Sequence, residues 1–197
     1  MTNTRIVIVG VGGQGVLFAS KVLAQAALAE GKNAVMSEVH GMAQRGGVVV
    51  CNLCIGDINS SLVGLGEADI VFAFEPIEAY RALPKANKST RFVTSTSPVV
   101  PVAVSIGKAK YPDVDDLFSQ IREITSKLTA LDADKIATDA GSYLTVNTVL
   151  LGALAGTDEC PVSKEKLLEA LKASVPQKML EINMRAFQAG LEAAASE

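Results

Sequence analysis

Short apolar runs alternate with longer amphipathic stretches along the 197 residues of the chain. The β-branched run at residues 5–9 is followed by an Ala- and Leu-rich stretch at 16–30 and by a second short run at 33–37. That order predicts a strand, a helix and a strand. Gly31 stands where a glycine commonly ends a helix, and two parallel neighbouring strands need such a crossover. The first part of the sequence therefore predicts a parallel β-α-β unit.

The rest of the chain predicts further strands and helices. Pro76 suits the first position of a helix that reaches residue 83, and Asp113 can cap the most amphipathic stretch, 114–128. Apolar runs predict strands at 48–55, 59–63, 70–74, 91–96, 99–104 and 135–138. The segment 59–63 is expected to return antiparallel to the strand before it, as a hairpin. Helices are predicted at 144–155, 163–173 and 178–195.

These elements together predict a single α/β domain spanning residues 1–197. Its fold is expected to be Rossmann-like, with a mostly parallel sheet flanked by helices and a helical C-terminal part. Hydrophobic residues make up 49% of the chain, only 5% of residues are aromatic and Trp is absent, so aliphatic side chains must build the core. Such a composition suits a sheet that is covered on both faces.

Charge and hydropathy exclude several classes of partner. The formal net charge of -3 argues against nucleic acid, because phosphate binding favours a basic surface. The longest apolar stretch, 144–156, contains Thr145, Asn147 and Thr148 and is too short to span a membrane. Glycines interrupt the first apolar run, so we expect no signal peptide. Three cysteines do not make a disulfide framework, which indicates a reducing compartment and hence the cytoplasm.

A glycine-rich turn follows the first predicted strand and reads G-x-G-x-x-G over residues 10–15. Gly10 permits a tight turn, Gly12 lets the backbone approach a ligand, and Gly15 lets the helix pack near the strand. The N–H groups that begin the helix favour an anion. Glu38 follows at the spacing of an acid that binds a ribose. The pattern alone leaves open a dinucleotide, another anion and a purely structural role.

The loop that follows the second predicted strand is the richest in reactive side chains. It contains His40, the single histidine of the chain, together with Gln44 and Arg45. Because it follows a strand, it is expected at the carboxyl edge of the sheet, near the glycine turn. Arg45 can present its donors to a carboxylate or phosphate, and His40 can transfer a proton. The alternative is structural, with Arg45 paired to Glu38 and His40 capping a turn.

The cysteines do not predict a metal site. Cys51 and Cys54 form a C-x-x-C pair, but on a strand positions three apart point to opposite faces, so core packing is expected. Cys160 lies in a predicted loop. We therefore expect no metal to be bound by this chain.

Polar residues on predicted helices have structural explanations. Glu75 and Glu78 stand at a helix start, where an acid offsets the helix dipole, and a functional role remains equally open. Asn183 and Gly190 share a helical face, which predicts an amide hydrogen bond across a packed contact and a close helix approach. Asn147, within an apolar stretch, has the same interpretation.

Several of these segments together resemble the gamma-type subunit of the 2-oxoacid:ferredoxin oxidoreductases. The segments that carry the resemblance span nearly the whole chain. They are the glycine turn 10–15 with Gln14, the loop 37–47, the string 74–79, and the tail from Pro176 through Asn183, Ala186, Phe187 and Gly190. Within that family, residues 38–47 are most similar to the smaller subunit of the indolepyruvate type.

The resemblance implies a subunit of an enzyme that oxidatively decarboxylates a 2-oxoacid with coenzyme A. The products are an acyl-CoA and carbon dioxide, and ferredoxin receives the electrons. It further implies that thiamine diphosphate, magnesium and iron–sulfur clusters belong to a larger alpha subunit, so this chain alone should be inactive. The alternatives are a gamma subunit for pyruvate, 2-oxoisovalerate or 2-oxoglutarate, a stand-alone dinucleotide-binding protein, and a non-catalytic interaction module.

Residue roles carried over from the resemblance divide into two groups. His40 and Arg45 are the candidates for catalysis, and together with Gln44 they are expected to face the partner or the acyl transfer site. The residues expected to line a cofactor or coenzyme A site are Gly10, Gly12, Gly13, Gln14, Gly15, Gln44 and Arg45.

Overall fold

A six-stranded mixed sheet forms the centre of the fold. The computed structural model describes residues 3–40 and 47–195. The strands are β1 Thr4–Val11, β2 Ala34–His40, β3 Val48–Ile55, β4 Ile70–Ala73, β5 Arg91–Ser95 and β6 Leu128–Leu131. Their order is β2-β3-β1-β4-β5-β6, and within the described residues β3 alone runs against the others. The prediction of a mostly parallel α/β sheet is confirmed.

Helices lie on both faces of this sheet. They are α1 Val16–Ala29, α2 Pro76–Arg81, α3 Val102–Ser105, α4 Val114–Ile124, α5 Ala133–Asp139, α6 Val146–Ala155, α7 Lys164–Ser174 and α8 Leu180–Ala194. Short 3-10 turns occur at Leu83–Lys85, Tyr143–Thr145 and Gln177–Met179. The last three helices form the predicted helical C-terminal part. Across the described ranges, no helix combines the length and the apolar character that crossing a membrane requires.

Alternate residues of the strands supply two separate cores. Ile8 and Cys51 are buried on one face, in a core built with α1, α6, α7 and α8. Val9 and Cys54 are buried on the other face, in a core built with α2 and α4. The prediction that the two cysteines point to opposite faces and pack in the core is therefore confirmed, as the period of two along a strand requires.

The parallel β-α-β unit predicted at the N-terminus is corrected in one respect. β1 and β2 run in the same direction, but β3 lies between them and pairs antiparallel with both. The connection across residues 41–47 is too short for the crossover that a parallel neighbour needs, so β3 must return alongside β2. The position that β2 would occupy beside β1 is thereby taken by β3.

Two predictions within the segment 114–139 are wrong. The end of the predicted helix 114–128 belongs to a strand, and the predicted strand 135–138 belongs to a helix. α4 ends at Ile124, and the predicted last turn of that helix instead leads into β6. Thr125 is buried and donates its hydroxyl to the carbonyl of Thr90 at 2.9 Å, which ends the helix against the start of β5. The predicted strand 135–138 lies within α5, because Asp132 caps a helix by accepting the N–H of Lys135 at 3.0 Å.

Two other predicted strands are wrong. Residues 59–63 have no strand pairing, and Lys85 instead donates its ammonium to the carbonyl of Val63 at 2.6 Å. The segment 99–104 contains the short helix α3. Pro101 begins that helix and has no N–H to give to a sheet, which removes a donor that a strand would need.

The C-terminal helix α8 packs closely on α6. The Thr148 hydroxyl donates to the side-chain oxygen of Asn183 at 2.6 Å, and the Asn183 amide nitrogen donates to the Met179 carbonyl at 2.8 Å. A methyl group on Gly190 would overlap the carbonyl oxygen of Val149. The predictions for Asn183 and Gly190 are confirmed, because the amide bridges the two helices and the glycine lets their backbones touch.

Glu30 joins the end of α1 to the start of α7, and its carboxylate gives a pH-dependent contribution to stability. One oxygen lies 2.7 Å from the Lys32 ammonium and the other accepts the N–H of Ser163 at 2.7 Å. Burial raises the pKa of Glu30. Hydrogen bonds from Lys32 and Ser163, together with the charge of Lys32, outweigh burial and lower the pKa from 4.5 to about 2. A carboxylate with a lowered pKa stabilises the fold at neutral pH and loses that effect in acid.

We therefore expect Glu30→Gln to lower the free energy of unfolding by about 1 kcal/mol at neutral pH. The difference from the wild type should shrink as the pH falls below 4.5 and be lost as the pH falls through about 2. Urea unfolding at a series of pH values measures it. Glu123→Gln, at an exposed position of α4, is the control, and an equal loss in both variants would contradict the assignment.

Candidate functional site

A cleft lies at the carboxyl edge of the sheet, where β1 passes into α1. Its volume is about 240 Å³. One wall is the glycine turn and the other combines the loop after β5 with the start of α6. The lining residues are Val11, Gly12, Gly13, Gln14, Gly15, Val99, Tyr143, Leu144, Val146 and Asn147. Open α/β sheets bind ligands at this edge, as the sequence predicts for this turn.

The glycines of the turn are required by backbone conformation and by space. Gly13 and Gly15 have φ angles of 105° and 82°, which favour glycine. A methyl group on Gly15 would also overlap the side-chain nitrogen of Asn147. At Gly10, a methyl group would lie 2.9 Å from the Cβ atom of Phe74 and 2.7 Å from Val16. The turn therefore packs against β4 on one side and against α6 on the other.

Gln14 fastens the turn to the neighbouring strand. Its side-chain oxygen accepts the N–H of Val11 at 2.9 Å, and its nitrogen donates to the carbonyl of Phe74 at 2.9 Å. Both ends of the amide are thus engaged within the protein. These hydrogen bonds give Gln14 a role in shaping the wall of the cleft, which it also lines, and its role in ligand binding stays a prediction.

The start of α1 provides a favourable electrostatic environment for an anion. Within the described residues no side chain caps this helix, and its first turn holds no acidic residue. The N–H of Gly12 donates to the carbonyl of Gly47 at 2.8 Å, while Gly13 and Gly15 line the cleft. Because the unpaired N–H groups of a helix start carry a partial positive charge, the cleft can hold a phosphate or a carboxylate at this end.

Apolar side chains supply much of the remaining lining of the cleft. Val99 and Val146 line it, and the side chains of Tyr143 and Leu144 stand largely exposed at its mouth. Burial and the carboxylate of Asp134 raise the pKa of Tyr143, so its hydroxyl stays protonated at neutral pH. A ligand in this cleft would therefore place a charged group against α1 and an uncharged part against these side chains.

Glu75 is a buried carboxylate beside the cleft, two residues after the end of β4. One oxygen caps α2 by accepting the N–H groups of Ile77 at 2.8 Å and Glu78 at 3.1 Å. The other accepts the N–H of Val99 at 3.2 Å and the hydroxyl of Tyr111. Four donors thus saturate Glu75, which positions the loop after β5 and leaves no lone pair aimed at a ligand.

Burial and the neighbouring Glu75 carboxylate raise the pKa of the Tyr111 hydroxyl, which therefore remains a donor. Glu78, the next acid of the same helix, is buried and lies 2.6 Å from the guanidinium of Arg81. Burial raises the pKa of Glu78 in spite of that ion pair. The sequence leaves open a structural and a functional role for these two acids. The contacts of Glu75 support the structural role, which is to cap the start of α2.

The residues of the second candidate loop are only partly placed. His40 ends β2, and Gln44 and Arg45 lie outside the described residues. The contact from Gly12 to Gly47 brings the end of this loop to the glycine turn, as expected for a loop at the carboxyl edge. Their roles at the site stay a prediction.

Glu38 does not stand where the dinucleotide pattern expects a ribose-binding acid. It pairs with Cys51 on β3, and Cys51 pairs in turn with Ile8 on β1. Two strand spacings, about 9.5 Å, therefore separate Glu38 from β1. The intervening β3 removes the neighbour relation on which the ribose contact of that pattern depends.

Two residues that position the cleft were missed or only partly understood from the sequence. The sequence predicts a packing role for Asn147, yet this residue also lines the cleft next to Gly15. The pair Glu75-Pro76 was a usable signal, because an acceptor followed by a proline marks a capped helix start. As for metals, the residues of the described ranges contain no group of three or more His, Cys, Asp or Glu side chains that could hold an ion.

Comparisons with known proteins agree with the fold and the glycine turn. The family model described as pyruvate ferredoxin/flavodoxin oxidoreductase matches residues 5–193. The chain is 40% identical over 193 residues to the indolepyruvate oxidoreductase subunit IorB of Methanothermobacter thermautotrophicus, covering 98% of each chain. It also matches a crystal structure of the gamma subunit of a keto/oxoacid ferredoxin oxidoreductase from Geobacter sulfurreducens, with a TM-score of 0.72, 26% identity, and coverage of 98% of this chain and 99% of that one.

A third comparison places the same fold within a longer polypeptide. The 2-oxoglutarate:ferredoxin oxidoreductase of Magnetococcus marinus, solved with 2-oxoglutarate, coenzyme A and succinyl-CoA bound, matches with a TM-score of 0.73 and 22% identity. The match covers 100% of this chain and 32% of that chain. The resemblance found in the sequence is confirmed: with its glycine turn, its six-stranded sheet and these relatives, the chain belongs to the pyruvate ferredoxin/flavodoxin oxidoreductase family.

Proposed function

We propose that this chain, as a single gamma-type domain spanning residues 1–197, is the smaller subunit of an indolepyruvate:ferredoxin oxidoreductase. The complex would convert an arylpyruvate and coenzyme A into an acyl-CoA and carbon dioxide, pass the electrons to ferredoxin, and work in the cytoplasm. The observation that carries the proposal is the 40% identity to an indolepyruvate oxidoreductase subunit over 98% of both chains.

The cysteines support a division of labour in which iron–sulfur clusters belong to the larger subunit. A cluster needs about four cysteine thiolates that converge on it. This chain has three cysteines, of which Cys51 and Cys54 are buried on opposite faces of the sheet. Cys160 lies beside Thr4 and Ile70, at the amino edge of the sheet. The donor set does not fit a cluster, and we assign clusters, thiamine diphosphate and magnesium to the larger subunit.

The contribution of this chain is the binding of coenzyme A in the cleft. The start of α1 and the glycine turn would hold an anionic phosphate, and the amide of Asn147 stands beside Gly15 at the same end. Val99, Tyr143 and Leu144 would contact an uncharged part of the molecule. A volume of about 240 Å³ admits only part of coenzyme A, so the remainder would extend from the mouth towards the larger subunit.

Reconstitution with the larger subunit tests the function. The lone chain should show no turnover, and the two chains together should show indolepyruvate-, coenzyme A- and ferredoxin-dependent turnover that the larger chain alone lacks. A rate no greater than that of the larger chain alone would overturn the proposal. A substrate panel tests the oxoacid, since preference for pyruvate, 2-oxoisovalerate or 2-oxoglutarate would assign the chain to another enzyme of the family.

Asn147→Asp tests whether the cleft binds the phosphates of coenzyme A. The substitution conserves size but adds a negative charge beside the anion site, so we expect the KM for coenzyme A to rise about tenfold with kcat little changed. Steady-state kinetics of the reconstituted complex measures both constants. Asn33→Asp makes the same charge change at an exposed position before β2 and should leave the KM unaltered. Equal KM values in the two variants would place coenzyme A elsewhere.

A further inference from the structure

Exposed apolar side chains lie on two segments that each contribute to the lining of the cleft. Among the described residues, two segments at this edge carry large hydrophobic side chains that solvent reaches. These are Val100, Val102, Ile106, Tyr143 and Leu144. Val99 and Tyr143 line the same cleft, so the two segments lie side by side at its opening. Apolar groups clustered in this way on a protein surface mark a site of interaction.

One of these segments is a loop whose two ends are held by a single oxygen atom. The Glu75 carboxylate oxygen accepts the N–H of Val99 at one end and the hydroxyl of Tyr111 at the other. We call residues 99–111 the anchored loop. Its helix α3 buries no residue, so the apolar side chains of Val102 and Ile106 contribute little to the core. The fold thus presents these side chains on a fixed base without using them for its own packing.

We propose that the anchored loop, together with Tyr143 and Leu144, is the surface that docks the larger subunit of the complex. This inference rests on the proposed function. In that function a ligand held in the cleft reacts at a cofactor of the larger subunit, so the mouth of the cleft has to face that subunit. We call the anchored loop together with Tyr143 and Leu144 the rim of the cleft. This rim is therefore the part of the surface that the larger subunit must cover.

The size of the partner supports this occupant. In the Magnetococcus marinus chain the shared fold makes up 32% of the polypeptide, so a body about twice its size is joined to it covalently. A partner of that size can bury the whole rim, as a stable interface requires.

The rim also indicates the chemistry of the surface that receives it. Lys108 and Lys110 are exposed within the anchored loop, so we expect an apolar recess bordered by carboxylates.

The double variant Val102→Ser/Ile106→Ser tests the apolar part. Neither residue lines the cleft, so coenzyme A binding should be unaffected. We expect the dissociation constant for the larger subunit, measured by biolayer interferometry, to rise about tenfold or more. The thermal unfolding midpoint of the lone chain should stay the same. Leu28→Ser is the matched control, because Leu28 and Ile106 are both 58% exposed and Leu28 lies near the far end of α1.

The variant Lys110→Glu tests the charged part. It should weaken binding of the larger subunit about tenfold at low ionic strength and less as salt is added, because salt screens exposed charges. Lys88→Glu, at an exposed position before β5, makes the same charge change away from the rim and should bind like the wild type.

The outcomes separate this inference from the function on which it rests. The rim is a docking surface if the double variant needs a higher concentration of the larger subunit for half-maximal turnover but reaches the wild-type turnover at saturation. If it binds as tightly as the wild type while both support turnover, the inference is wrong and the function stands. If the substitutions instead change self-association of the lone chain, the rim pairs two copies and the inference is also wrong. A wild-type chain that neither binds nor activates the larger subunit would overturn both.

Discussion

Replacing Gly190 by alanine is expected to lower the free energy of unfolding by about 3 kcal/mol. The added methyl group would overlap the carbonyl oxygen of Val149, which belongs to the backbone of α6 and cannot turn aside as a flexible side chain could. Gly152 makes the reciprocal contact, since a methyl group there would overlap the carbonyl oxygen of Phe187. Relief would require α6 and α8 to move apart and would disturb the hydrogen bond from Thr148 to Asn183.

Thermal unfolding measures this effect. For a chain of this size, a loss of 3 kcal/mol corresponds to a midpoint lower by roughly 10 °C. Gln188→Ala, on the exposed side of the same helix, should change the midpoint by no more than about 2 °C. A Gly190→Ala protein as stable as this control would show that the two helices do not approach as closely as described.

Removing the Glu75 carboxylate is expected to lower the free energy of unfolding by a similar amount, because buried hydrogen bonds are lost. In Glu75→Ala the N–H groups of Ile77 and Val99 and the hydroxyl of Tyr111 lose a buried acceptor. We expect the free energy of unfolding to fall by about 3 kcal/mol, because each buried donor left without a partner costs more than the hydrogen bond itself contributed. Tyr111→Phe, which removes one donor and keeps the carboxylate, should cost about 1 kcal/mol.

Limited proteolysis distinguishes a general loss of stability from release of the anchored loop. Glu75→Ala should be cleaved within residues 99–111 well below its unfolding temperature, and Asp113→Ala should not. Asp113 is the control because it caps α4 at an exposed position by accepting the N–H of Asp115 at 2.9 Å. If both variants lost the same stability and resisted cleavage equally, Glu75 would act only as a helix cap and the loop would be held by other contacts.

The parts of the fold that follow from neighbouring residues were predictable from the sequence. The glycine turn, β1 and α1 depend on a β-branched run, a G-x-G-x-x-G pattern and an Ala-rich stretch that are contiguous in the chain. The opposite faces of Cys51 and Cys54 follow from the period of a strand. The close approach at Gly190 follows from a glycine on an apolar helix face.

The errors arise where distant residues decide between two local possibilities. Leu128 fits the end of an amphipathic helix as well as the start of a strand, and the pairing of β6 with β5 selects the strand. The position of β3 between β1 and β2 depends on its pairing with β1, which lies far earlier in the chain, and no local pattern records that pairing. At the site, Glu75 acquires its role from Val99 and Tyr111, which are 24 and 36 positions away in the chain.

Two consecutive residues that follow β4, Phe74 and Glu75, support both walls of the cleft. The carbonyl of Phe74 holds the glycine turn through Gln14, and the carboxylate of Glu75 holds the loop that carries Val99. β4 is buried along its whole length, and the rings of Phe72 and Phe74 meet edge to face at 5.0 Å. The distance between the two walls is therefore set by residues next to a fully buried strand, and substitutions at the surface should not change it. Substitutions that loosen the packing of Phe72 are therefore expected to weaken the proposed binding of coenzyme A in the cleft before they unfold the protein.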